Sequence, residues 1–68
     1  MSSEDYFTGL TERYVIAILK ADGSMKIEAI EQLYRTHSSG RKLAGKLIAH
    51  GLAEVSEPGI LQWRGVEK

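Results

Sequence analysis

Four cations in one short segment are the residues of this sequence best suited to chemistry. They fall between residues 35 and 50 with no acidic residue among them: Arg35, Arg41, Lys42 and Lys46. Residues 1–34 hold six acids and three bases, and residues 51–68 hold three acids and two bases. Because the whole chain has nine bases and nine acids, this distribution predicts one positive face on a neutral protein.

The segment has the period of a helix over about residues 40–50. At 100° per residue, one side of that helix is apolar and faces a core: Leu43, Ala44, Leu47 and Ile48. The opposite side carries two lysines beside two very small residues: Lys42, Lys46, Gly45 and Ala49. Lysines contact phosphates or base edges, and small residues let a helix backbone come close to a ligand.

Two further features flank this helix. Ser38 and Ser39 precede it, and we expect them to cap its N-terminus or to bind a phosphate there. Arg64 is the basic residue of a return strand after the turn at residues 56–59, which contains an acid, Glu57. We therefore expect that turn to be structural and to face away from phosphate.

The sequence contains no motif typical of a metal site, a catalytic site or a membrane segment. There is no cysteine, and His37 and His50 lie too far apart, without a third ligand, to suggest zinc. No set of nucleophile, base and acid is visible, and no glycine-rich phosphate loop, so we expect neither an enzyme nor a cofactor. The sequence also has no apolar run of about 20 residues and no signal-peptide pattern. We therefore expect a soluble, intracellular protein with no membrane partner.

A first helix is predicted over about residues 11–22, capped by Thr8 or Thr11 and ended by Gly23. Its apolar side carries Tyr14, Val15, Ile18, Leu19 and Ala21. Ile16 widens this side beyond what one small core needs. The excess predicts a homodimer formed through helix 1 and the Tyr6–Phe7 arm.

The remaining elements are short. Residues 24–26 form a connector or a single β-bridge, and a second helix covers about residues 27–35. Two β-prone runs, residues 52–55 and 60–64, flank Pro58-Gly59, a pair suited to the centre of a type II turn. These elements predict a mainly α protein with a small β-hairpin (α+β). We expect four residues to be buried in it: Ile18, Ile30, Leu47 and Trp63.

This order of elements resembles the winged helix-turn-helix superfamily. The resemblance is carried by the repeat Ile27-Ile30-Leu33, the break at residues 36–39, and the run from Leu43 to Val55 with its glycine, Gly51. It predicts a flexible N-terminal arm at residues 1–9, a three-helix winged-helix domain at residues 10–65 and a C-terminal tail at residues 66–68.

The resemblance also implies a function. In that family the third helix enters the major groove of duplex DNA, so we expect a transcriptional regulator. We expect its nucleic-acid-binding residues to be Arg35, Ser38, Ser39, Arg41, Lys42, Lys46 and Arg64. A protein-interaction module without nucleic-acid binding stays open as the alternative, because the chain is neutral and the turn between its last strands is acidic.

Overall fold

The computed structural model describes residues 3–65, without the side chains of Ser3 and His37. The predicted tail at residues 66–68, and residues 1 and 2 of the predicted arm, lie outside this range. The described elements, in chain order, are a 3₁₀ turn (Ser3–Tyr6), α1 (Leu10–Asp22), β1 (Ser24–Lys26), α2 (Ile27–Gln32), α3 (His37–Ala49), β2 (Ala53–Glu57) and β3 (Ile60–Trp63). The protein is therefore of the α+β class.

The start of α1 differs from the prediction, whereas its end agrees with it. Gly9, and neither Thr8 nor Thr11, is the N-cap residue, and its backbone N–H donates to Oε1 of Glu12 at 3.0 Å. At the other end Gly23 takes a positive φ of 87° and donates to the Leu19 carbonyl. A carboxylate one turn inside the helix thus replaces the expected threonine cap.

The end of α2 and the start of α3 each lie about one turn earlier in the chain than predicted. The α2 helix ends at Gln32 and α3 begins at His37, so that Ser38 and Ser39 lie in the first turn of α3. The cap is Thr36, whose Oγ1 accepts the Ser39 backbone N–H at 3.4 Å. The prediction that one of the two serines caps this helix was wrong, because Thr36 can make the same bond from three residues upstream.

The end of α3 is closed by a glycine, as predicted. Gly51 has a φ of 76°, and its N–H donates to the Ile48 carbonyl, while the Leu52 N–H donates to the Leu47 carbonyl. This pair of bonds is the Schellman motif, which satisfies two of the last carbonyls of a helix. It turns the chain sharply from α3 into β2.

The sheet has three antiparallel strands in the order β1-β3-β2. The connector at residues 24–26 is therefore a full edge strand, with Met25 opposite Leu61. On the other side Val55 pairs with Leu61, and a bulge separates Val55 from Glu57. Between β2 and β3 Gly59 has a φ of 81°, as the third position of a type II turn requires.

The core lies between the three helices and the sheet. Its fully covered apolar residues are Phe7, Val15, Ile16, Leu19, Ile30, Leu43, Ala44, Leu47, Leu52, Ala53 and Leu61. The predicted burial of Ile30 and Leu47 is confirmed, whereas Ile18 and Trp63 are only half-buried. Three residues predicted to lie on inward faces are exposed: Tyr14, Ala21 and Ile48. All three lie about 90° or more from the centre of the buried face of their helix.

The arm segment after the 3₁₀ turn contributes to this core. Phe7 is 2% exposed and Ile16 is 5% exposed, and both line a shallow groove between the arm and α1. Ile16 is thus covered within its own chain. The excess apolar surface at Ile16 and Phe7, from which we predicted a homodimer, is absent.

A substitution at Leu47 tests which side of α3 faces the core. Its side chain is fully buried, so we expect Leu47→Ala to lower the free energy of unfolding by about 2–5 kcal/mol. Ile48→Ala is the matched control, because Ile48 is the next residue in the chain and is 42% exposed. Urea denaturation followed by circular dichroism measures both. Equal losses for the two variants would contradict this orientation of α3.

Two glycines of α3 give opposite predictions. A Cβ at Gly40 would lie 2.6 Å from the Cα of Glu31 in α2, whereas a Cβ at Gly45 would meet no atom within 4 Å. We expect Gly45→Ala to raise the free energy of unfolding by up to about 1 kcal/mol through helix propensity. Gly40→Ala gains the same propensity but overpacks the α2–α3 contact, at a cost of about 1–3 kcal/mol. Thermal melting that shifts both variants in one direction would contradict this assignment.

Candidate nucleic-acid interface

The outward face of α3 is the candidate interface. Leu43, Ala44 and Leu47 are buried on the opposite side, which leaves Lys42, Gly45 and Ala49 exposed to solvent. Ser38 lies on this outward line, one turn before Lys42. We call Ser38, Lys42, Gly45 and Ala49 the outer face of α3.

Gly45 makes the middle of this face almost flat. No atom lies within 4 Å of the position that a Cβ would take there, and Ala49, one turn further on, has only a methyl group. A ligand surface can therefore approach the α3 backbone between the lysines. Packing inside the protein gives no reason for a glycine at position 45, in contrast to Gly40.

Acids from other elements reach three of the predicted cations. Nε of Arg41 donates to Oε2 of Glu31 in α2 at 2.8 Å, and Nζ of Lys46 lies 3.9 Å from Oε2 of Glu12 in α1. The sequence shows no acid among residues 35–50, but the fold supplies acids from outside that segment. The absence of acids among residues 35–50 therefore does not leave Arg41 and Lys46 without an acidic neighbour.

Arg64 is paired on the sheet. Its Nη1 donates to Oε1 of Glu54 in β2 at 2.8 Å, and both side chains are about half exposed. In the adjoining turn Glu57 and Pro58 are exposed. The surface of β2, β3 and the turn between them thus carries an ion-paired arginine and an exposed acid, and no unpaired cation among the described residues.

Arg35 and Lys42 differ from these three. Both side chains are exposed, and within residues 3–65 neither makes an ion pair within 4.0 Å. They flank the start of α3, where the Thr36 and Ser39 hydroxyls lie 2.9 Å apart. Two free cations and a hydroxyl cluster therefore surround the N-terminal turn of α3.

Surface ion pairs of this kind contribute about 0–1 kcal/mol each. The Arg41 side chain is 70% exposed and the Lys46 side chain 53% exposed, so both residues remain accessible to solvent. An incoming phosphate can replace the carboxylate at small cost. The pairing lowers the positive potential of the face but leaves its cations available.

Glu12 links three elements behind this face. It accepts the Gly9 N–H and approaches Lys46, and its charge acts on Tyr34, the half-buried residue after α2. Burial, with a smaller contribution from Glu12, raises the pKa of the Tyr34 hydroxyl above its ordinary value of 10.0. Sequence reasoning missed this cluster, since Glu12, Tyr34 and Lys46 are more than ten residues apart in the chain.

His50 was also missed as a packing residue. It lies at the C-cap of α3, with its ring centroid 4.5 Å from that of Tyr6 and 5.3 Å from that of Phe7. The arm therefore rests on the end of α3.

The side chain of His37 is outside the described part of the structure, and within that part no group of three or more His, Cys, Asp or Glu residues could hold a metal ion.

Comparison of the chain with protein-family models, curated proteins and solved structures finds no match. Among residues 3–65, no helix combines the length and the apolar character needed to cross a membrane. The assignment of function therefore depends on the geometry described above.

Tyr34 gives a pH-dependent prediction. Because its pKa is raised by folding, the unfolded chain loses this proton first as the pH rises. The stability that the neutral phenol contributes is complete below pH 10.0 and is lost as the pH rises through the higher pKa of the folded state. We expect Tyr34→Phe to flatten this alkaline loss of stability in urea denaturation between about pH 8 and 12.

Tyr14→Phe is the control for Tyr34→Phe, because Tyr14 is 57% exposed. We expect it to keep the alkaline slope of the parent protein. An identical slope for the parent and Tyr34→Phe would show that the phenol of Tyr34 titrates alike in the folded and unfolded chains.

Proposed function

We propose that this protein is a winged-helix DNA-binding protein that contacts duplex DNA through the outer face of α3 and regulates transcription. The observation that carries the proposal is the combination at this face of exposed Lys42, open space at Gly45 and a helix without any acidic residue. A helix of this kind can enter a major groove about 12 Å wide.

The arrangement of elements supports the family assignment. Three helices precede a β-hairpin, and α3 packs on α2 with its outer face free, as the winged-helix resemblance implies for a recognition helix. The sheet, with β3 at its centre, holds the end of α3 through the Schellman turn at Gly51. The proposal therefore gives α2 and the sheet a positioning role and α3 the contact.

Phosphate contacts in this proposal come first from Lys42 and Arg35, which have no acidic partner among the described residues. Ser38 and the first N–H groups of α3 add hydrogen bonds to the backbone of the same DNA strand. Arg41 and Lys46 exchange their carboxylate partners for phosphates on binding. Gly45 and Ala49 let the helix backbone approach the base edges.

The charge pattern implies weak non-specific binding. The face has about four cations, and each phosphate neutralised contributes about 0.9 to the slope of log affinity against log salt. Arg64 is paired with Glu54, and the nearby turn exposes Glu57. We therefore exclude the hairpin from the main contact and assign Arg64 at most a neighbouring phosphate.

A protein-interaction module is the second candidate function. It is favoured by the pairing of Arg41 and Lys46 with acids and by the exposure of Ile48, an apolar side chain on the same helix as Gly45. A partner helix lying on the outer face of α3 would use the same open space. The two functions differ in their dependence on salt.

Lys42→Ala tests the leading function. We expect it to weaken binding of a labelled DNA duplex and to reduce the salt slope by about one unit, because one phosphate contact is lost. Adding Lys46→Ala weakens binding further. Fluorescence anisotropy at several salt concentrations measures both quantities. Lys26→Ala, an exposed lysine in β1, is the matched control and keeps the affinity of the parent protein.

Gly45→Ala separates contact from folding, since we expect it to stabilise the protein while it weakens DNA binding. If the parent protein binds no duplex even at low salt, the DNA-binding proposal is wrong and the interaction module replaces it. Equal weakening by Lys42→Ala and Lys26→Ala would mean that α3 is not the contact helix.

A further inference from the structure

The side of α1 that faces away from the core is apolar along its whole length. Leu10 is 87% exposed and Tyr14 57% exposed, and Ala17 and Ala21 are also open to solvent. Val15 and Leu19, on the other side, are fully buried. We call Leu10, Tyr14, Ala17 and Ala21 the outer face of α1.

The spacing of this face is four, three and four residues. Such spacing keeps apolar residues in one line along a helix, and it is the pattern of a seam between two packed helices. Ala17 and Ala21 are small enough for a second helix to approach closely. Within residues 3–65 no other segment covers this line, since the arm packs on the flank that contains Ile16.

A groove of about 370 Å³ runs along one flank of this face, between α1 and the arm. Its charged rim carries two acids and two bases: Glu4, Asp5, Arg13 and Lys20. Nζ of Lys20 lies 3.0 Å from Oε1 of Glu4. Arg13 and Asp5, in contrast, make no ion pair with any residue of the described range. The flank thus has equal numbers of both charges and one unpaired member of each.

We propose that two copies of this chain associate through the outer face of α1, with the two helices antiparallel. A two-fold axis perpendicular to the helices brings the same flank of each copy together. The unpaired Arg13 of one copy then faces the unpaired Asp5 of the other, and the same pair forms twice. A parallel arrangement would place this charged flank against the flank with Thr11 and Ile18, where the acid, Asp22, lies nine residues along the helix from Arg13 and so cannot pair with it.

This surface shares α1, with Tyr14 and Ala21, with the one that the sequence predicted, but Ile16 and Phe7 are covered and take no part. It is also independent of the DNA-binding proposal, which uses α3. The α1 helix has 13 residues and is about 20 Å long, so its outer face is smaller than the roughly 800 Å² per partner of a standard interface. We therefore expect a weak dimer that depends on concentration.

Sedimentation equilibrium of the full 68-residue chain without DNA tests the proposal. We expect the apparent mass to rise from 7.6 kDa toward twice that value between about 10 µM and 1 mM protein. Leu10→Glu should abolish this rise. Its fold should be kept, because Leu10 is highly exposed and a carboxylate is favourable in the first turn of a helix. Val55→Glu is the matched control, an exposed apolar residue on β2, and should dimerise as the parent does.

Three further variants make the result decisive. Ala17→Glu places a carboxylate within one turn of both Arg13 and Lys20, which supports the helix while it blocks the seam, so it should also remain monomeric. Arg13→Glu should weaken association, and adding Asp5→Arg should restore it by reversing the pair. A parent protein that stays at 7.6 kDa throughout overturns the proposal, as does a Leu10→Glu variant that dimerises like the parent. Failure of the double charge reversal to restore association overturns the antiparallel arrangement.

Discussion

The contact between α2 and α3 at Gly40 constrains everything that the outside of α3 can do. Because a Cβ at position 40 would lie 2.6 Å from the Cα of Glu31, α2 and α3 can approach this closely only where α3 has no side chain. Leu43, Ala44 and Leu47 follow Gly40 around the same side and enter the core. The face with Lys42 and Gly45 is left outward as a consequence. Gly40 and the buried leucines thus fix the orientation of the proposed contact helix together.

Sequence reasoning located α3 and its buried side because leucines at positions 43 and 47 repeat at the helical period. It placed Ile48 and Tyr14 inward since hydrophobicity alone cannot separate a buried side from an exposed apolar one. Sequence reasoning also did not predict that β1 is a full strand. Its three residues carry no strand pattern and pair only because β3 is beside them. Local periodicity predicts the helices, whereas pairing across long sequence separations remains hidden from it.

The candidate site shows the same limit for charge. A cluster of cations can be counted along the chain, but the acids that lie near them come from α1, α2 and β2. Their positions depend on how the helices pack, which no single segment encodes. What the sequence could not indicate is therefore which cations are free. Lys42 and Arg35 are distinguished from Arg41 and Lys46 only by the folded geometry.

The strand order β1-β3-β2 has a consequence for how this chain acquires its structure during synthesis. The central strand is β3, the last of the three to be made, and within the described residues β1 pairs with no other strand. Between Lys26 and Trp63 the ribosome adds 37 residues, which takes about 2–7 s at ordinary rates. Throughout that interval β1 lacks its partner strand, so the sheet forms only after almost the whole sequence has been made.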